Sequence, residues 1–276
     1  MLQRILFPLG GNEKFNEIKS FFTSMVSKRR FALQGLGVVD IEGIEDSLSG
    51  APPGAIGIAE EAAKKVLTNE KERLRDFVGS LEKNLDSKKV DYTWKVTEGN
   101  PRDEILKRTI GPDLLVLHSE SVFSYSKERE PTSFFADVIA RLQIPVLYLC
   151  GEKPHGDVIG VASDFGKDAN HAMYSFLHLG IFSKSKIIFS HVSTEEGPQK
   201  RFAPYQDYFK LHGFENVLEV NLKGEKDSAI RRFVETEKIG MLILGKMGES
   251  KLKDYLFGTL TNALIDKPAC SLFIHD

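Results

Sequence analysis

Two hydrophobic rhythms alternate along the chain. Short apolar runs of strand length are separated by longer stretches in which apolar residues recur every three or four positions, the spacing of one helical face. In the first half, Arg4 to Leu9 (RILFPL), Phe31 to Ile41, Val90 to Val96 (VDYTWKV), Asp113 to Leu117 (DLLVL) and Pro145 to Leu149 (PVLYL) read as strands. Between them, Glu13 to Lys28 aligns Phe15, Ile18, Phe22, Met25 and Val26 on one helical face. Ala59 to Leu85 does the same with Ala63, Val66, Leu67, Leu74, Phe77, Val78 and Leu81. Pro101 to Arg108 is a short helix, with Asn100 placed to cap it and proline at its first position; Ser133 to Leu142 is another.

The pattern then starts again. Gly151 to Gly156 (GEKPHG) is a polar Gly/Pro segment suited to a linker. After it, strands are expected at Asp157 to Ala162, Lys186 to Val192, Val217 to Leu222, Met241 to Leu244 and Cys270 to Ile274. Helices are expected at Lys167 to Phe182, Gln199 to His212, Asp227 to Thr236 and Thr259 to Ile265. Each half therefore reads β-α-β-α-β-α-β-α-β. Apolar strands alternating with helices belong to parallel sheets covered on both faces. The expected fold is α/β: two tandem doubly wound, Rossmann-like domains, each a five-stranded parallel sheet flanked by helices, at 1–150 and 157–276 with 151–156 as linker.

The final strands of the halves, Val146 to Leu149 and Leu272 to Ile274, are short apolar edges that need covering. Antiparallel pairing of one with the other would make the chain an intramolecular pseudo-dimer; further homodimerisation stays open. The first half is longer in one place, with 108 positions from Gly10 to His118 against 81 from Asp164 to Gly245. The surplus, about 27 residues on this pairing, is expected within roughly 42–68 as an excursion before the long helix.

Composition narrows the class of partner. Lys plus Arg is 37 and Asp plus Glu is 39, a net charge of −2, so no broad basic field exists to hold nucleic acid. Two cysteines in 276 residues exclude a disulfide-stapled scaffold. No apolar run approaches the ~18 residues of a membrane span. The opening MLQRILFPLGG lacks the basic start and long apolar stretch of a signal peptide, so a cytoplasmic location is expected.

The segment that points to chemistry is Leu242 to Thr259, LILGKMGESKLKDYLFGT. A buried strand ends at Leu244; Gly245, Gly248 and Gly258-Thr259 follow, and a helix begins. Ligands of open parallel sheets bind at the carboxyl ends of strands. Glycines there let backbone N–H groups form a nest for an anion, and Thr259 stands where a helix N-cap can face a phosphate. Glycines in a loop also serve simply as turn residues. Lys246 could reach a phosphate, but a solvated loop lysine is the plainer reading. Two look-alikes nearby fail. Asp164-Phe165-Gly166 lacks the companion segments of a kinase, and Gly160 to Lys167 has five residues between its glycines where a Walker A loop has four.

In this segment the chain resembles the universal stress protein family, whose nucleotide motif is G-x2-G-x9-G-[S/T] after a buried strand. The resemblance extends over essentially the whole chain as two tandem copies. Ser163-Asp164-Phe165-Gly166 is similar to the family's first strand end, with its aspartate, and Ser190-His191-Val192 to its second. The resemblance implies ATP or AMP as ligand, with magnesium as a possible companion. It implies that Asp164 holds the nucleoside and that Val192 contacts adenine through its backbone. Gly245, Gly248, Gly258 and Thr259 would cradle ribose and phosphates, with Met247 and Leu260 as walls. No catalytic residue and no protein-held metal site is implied. The expected role is a nucleotide-dependent regulatory or protective protein of the stress response. Slow ATP hydrolysis and a nucleotide-independent protein-interaction module are the alternatives. The Ser-Gly-Gly-x-Asp-Ser and His-x-Gly-His loops of related adenine-binding enzymes are not present at Ser163 to Lys167.

The first half departs from the motif. His118-Ser119-Glu120-Ser121, nine residues, then Pro131-Thr132 keeps the spacing and loses the three glycines. Gly10 stands in place of the aspartate, with Asn12 nearby, and Glu120, Glu128 and Glu130 would repel a phosphate. One competent site per chain is therefore expected, in the second half.

Overall fold

A computed structural model describes residues 2–11, 13–26, 31–48, 55–87, 90–121, 123, 131–151, 156–182, 184–192, 201–246 and 259–276. In chain order the first half contains β1 (Arg4–Leu9), α1 (Phe15–Val26), β2 (Ala32–Val39), α2 (Ile41–Leu48), α3 (Ile56–Ser87), β3 (Asp91–Glu98), α4 (Pro101–Leu106), β4 (Leu114–His118), α5 (Pro131–Arg141) and β5 (Val146–Leu149). The second contains β6 (Val158–Ala162), α6 (Lys167–Leu179), β7 (Lys186–Val192), α7 (Ala203–Leu211), β8 (Val217–Leu222), α8 (Lys226–Thr236), β9 (Met241–Gly245), α9 (Thr259–Asp266) and β10 (Ser271–His275).

The strands form one ten-stranded sheet in the order β3-β2-β1-β4-β5-β10-β9-β6-β7-β8. Every neighbouring pair is parallel except β5 with β10, which run antiparallel with Leu147 opposite Phe273. The two apolar edges thus cover each other, as their sequences require. Strand alternation sends successive side chains to opposite faces. Ile5, Phe7 and Leu9 join α1, α3, α6 and the aromatics of α7 in one core layer; Leu6, Leu115 and Leu117 join α4, α5, α8 and α9 in the other.

Local signals set the element ends. Asn100 accepts from the backbone N–H groups of Arg102 and Asp103 and caps α4, as its position before proline suggests. α6 stops at Leu179, three residues short of the expected end. Gly180 takes a left-handed φ of 65° there and turns its N–H to the Phe176 and Leu177 carbonyls. The second strand stops at Val39, before the Ile41 expected from its apolar run. The Asp40 carboxylate accepts from the Gly43 N–H at 3.0 Å and starts α2.

The surplus of the first half is helical. It lies between β2 and β3, where the 8-residue α2 and the 32-residue α3 stand against the 9-residue α7 of the second half. The excursion expected before the long helix is therefore partly that helix itself, which begins at Ile56. α3 brings Leu74 beside Gly11 and donates from Arg73 to the Gly10 carbonyl at 3.0 Å, so it lies over the end of β1.

Candidate functional site

The strand order reverses direction between β1 and β4 in the first half and between β6 and β9 in the second. Such a switch point opens a crevice at the carboxyl ends of the strands. Strand register fixes equivalent levels: Ile5 lies opposite Leu114, and Ile159 opposite Met241. Counting along the strands, Gly10 corresponds to Asp164 and His118 to Gly245, the pairing inferred from sequence.

In the second half, β6 sits between β9 and β7, with Ala162 level with both Leu244 and Ser190. Asp164, Val192 and Gly245 therefore emerge side by side at one sheet edge. The Ser163 N–H continues the ladder to the Ser190 carbonyl at 2.9 Å. Beyond it the chain turns sharply. The Ser163 hydroxyl accepts from the Phe165 N–H at 2.9 Å, Asp164 Oδ1 accepts from the Gly166 N–H at 2.8 Å, and Phe165 takes a φ of 60°. This turn delivers the chain to the start of α6. Of the two Asp164 carboxylate oxygens, only Oδ1 accepts a hydrogen bond among the described residues, the one from Gly166. Val192 is 37% exposed at the end of its strand.

Gly245 has a packing reason of its own. A Cβ there would lie 2.8 Å from the Asp168 carbonyl carbon and 2.8 Å from the Ala169 nitrogen, backbone atoms of the first turn of α6. The bare backbone lets α6 descend onto β9. Thr259 is the first residue of α9 rather than the residue before it, so the N-cap position expected for it falls on Gly258, and Leu260 is half-buried against the core layer below α9. Met247, Gly248 and Gly258 lie outside the described residues. Lys246 is not a solvated lysine: it is 5% exposed, and its ammonium donates to the Leu142 carbonyl at 2.7 Å, away from the crevice.

Sequence reasoning missed the aromatic wall beside this edge. The Phe165 ring lies 5.7 Å from Phe189, 5.2 Å from His191 and 5.7 Å from Tyr205. The Tyr205 hydroxyl donates to Asn170 Oδ1 at 2.9 Å, and burial pushes its pKa up. His191 holds Glu219 Oε1 through Nε2 at 2.9 Å. In the sequence these aromatics look like any core positions, so nothing marked them.

At the matching level of the first half, side chains fill the crevice. Glu13, 5% exposed, accepts from the Gly10 N–H at 2.6 Å, the Gly11 N–H at 2.8 Å and the Ser121 hydroxyl at 2.6 Å. His118, 1% exposed, pairs with Glu17 at 3.0 Å through Nε2 and accepts from the Glu120 N–H through Nδ1 at 3.2 Å. Glu120, expected to repel a phosphate, is instead paired with Lys14 at 2.6 Å. Asn12, Glu128 and Glu130 lie outside the described residues. The acidic residues Glu13 and Glu17, four positions apart just before and within the start of α1, were the available signal for this filling.

The comparisons agree on the fold. A universal stress protein from Archaeoglobus fulgidus superimposes with a TM-score of 0.69 at 14% identity, over 99% of this chain and 96% of that one. A functionally unknown protein from Pseudomonas aeruginosa gives a TM-score of 0.60 at 12% identity, over 99% and 92%. A putative universal stress protein from Pseudomonas aeruginosa gives 0.57 at 13%, over 99% and 93%. No family model and no curated protein matches the chain. The chain has the universal stress protein fold, in a two-copy arrangement that extends from end to end. Among the described residues no helix is long and apolar enough to cross a membrane, and no group of three or more His, Cys, Asp or Glu could hold a metal ion.

Proposed function

We propose that the chain is a tandem universal stress protein that binds one ATP or AMP, in its second half (157–276), and uses that ligand to set its conformation in a stress response. The observation that carries this reading is the contrast between the two crevices. Asp164, Val192 and Gly245 stand together at the ends of neighbouring strands, and among the described residues no side chain of another element bonds to Asp164, while the buried Glu13 and His118 occupy the equivalent level of the first half. Asp164 and the Val192 backbone would hold the nucleoside. Backbone N–H groups of Gly245, Gly248 and Gly258 and the N-terminus of α9 at Thr259 would take the phosphates, by charge-assisted hydrogen bonds. Magnesium, if present, would ride on the phosphates.

Mass spectrometry of the small molecules released from the purified chain tests this. ATP or AMP at about one per chain is expected. A chain that carries no adenine nucleotide and takes none up from solution contradicts the proposal.

A further inference from the structure

The buried Glu13 carboxylate does something that no part of the second-half reading requires. Its Oε1 accepts two hydrogen bonds, from the Gly10 N–H at 2.6 Å and the Ser121 hydroxyl at 2.6 Å, and its Oε2 accepts the Gly11 N–H at 2.8 Å. The three donors come from two loops, one after β1 and one after β4, and converge at the switch point between those strands. Among the described residues no lysine or arginine pairs with Glu13. Among the described residues its donors are two backbone N–H groups and one hydroxyl, the kind of donor set with which a main-chain nest holds a phosphate.

Contacts other than the carboxylate also hold the two loops. Gly11 takes a left-handed φ of 84°, and a Cβ there would stand 3.0 Å from Leu74, so the loop shape depends on glycine and on α3. Arg73 donates to the Gly10 carbonyl at 3.0 Å and pins the loop from its other side. The Ser121 N–H donates to the His118 carbonyl at 3.0 Å, which fixes the second loop.

We propose that Glu13 is a tethered anion. It occupies a phosphate-type nest in the first half, so this half is held in the filled state without a ligand, and removing the carboxylate exposes a site for a phosphate group. The ligand class is a tetrahedral oxyanion, free or as a phosphate monoester. This holds whether or not the second half binds nucleotide.

The test is the thermal midpoint of the whole chain with and without inorganic phosphate, against chloride at equal ionic strength. The wild type supplies the reference and absorbs any response of the second half. Glu13→Ala is expected to melt below the wild type without phosphate. At a phosphate concentration about tenfold over its Kd it should gain ~3 °C more than the wild type does. Glu13→Gln, whose amide still fills the space, is expected to gain nothing extra. Glu13→Ala with Ser121→Ala should lose most of the gain. If Glu13→Ala does not fold in chloride, refolding in phosphate replaces the melt: recovery of Glu13→Ala but not Glu13→Gln supports the proposal. A folded Glu13→Ala with no extra phosphate response overturns it. So does a Glu13→Ala chain that phosphate does not rescue.

Discussion

Lys246, the residue after β9, donates its ammonium to the carbonyl of Leu142, the residue after α5, at 2.7 Å. The bond ties the second half to the first at the point where the glycine-motif loop begins. The Asp276 carboxylate lies 3.3 Å from the same ammonium. A helix ends with unpaired carbonyls and a negative dipole end, so a cation there satisfies both needs. The lysine is thus a cross-brace between halves.

Lys246→Met keeps the apolar stem and removes the charge, which leaves the Leu142 carbonyl unpaired. A loss of about 2 kcal/mol in urea unfolding is expected. An unchanged unfolding midpoint would show that the brace contributes nothing.

Gly245→Ala should destabilise the chain with no ligand present, because its Cβ would meet backbone of α6 at 2.8 Å. A cost of roughly 1–3 kcal/mol is expected from such overpacking. Thermal melting of the ligand-free variant measures it. If stability is untouched, the glycine is there for the ligand alone.

Glu104 gives a pH dependence with a definite sign. Hydrogen bonds from Lys107 and then Arg108 hold its pKa at about 2, below the ordinary 4.5. Between those values the unfolded chain binds a proton that the folded chain does not, so folding is favoured by higher pH. The contribution is complete above about 4.5 and is lost as pH falls toward about 2. Glu104→Gln should lower stability at neutral pH and flatten the acid-unfolding curve across that window. A curve superimposable on the wild type would remove Glu104 from the ion-pair cluster.

The alternation of apolar runs and helical faces was enough to read ten strands, their division five and five, and the antiparallel seam at β5 and β10. Buried parallel strands have apolar residues on both faces, so their signal survives without any knowledge of partners. Element ends were less legible, because they depend on single backbone contacts such as the left-handed Gly180 and the Asp40 cap. The placement of Asp164, Val192 and Gly245 at neighbouring strand ends was readable because strand ends and glycines are local features. The role of Glu13 was not, since its partner Ser121 is 108 positions away and meets it only through the sheet. Lys246 was misread for the same reason, as its acceptor is 104 positions away.

Equilibrium dialysis of labelled ATP or AMP against the whole chain tests the central claim most directly. One nucleotide per chain is expected, lost in Gly248→Val and retained in Glu120→Ala, the first-half residue that corresponds to Met247. No uptake at millimolar supply, or two nucleotides per chain, would contradict a single site in the second half.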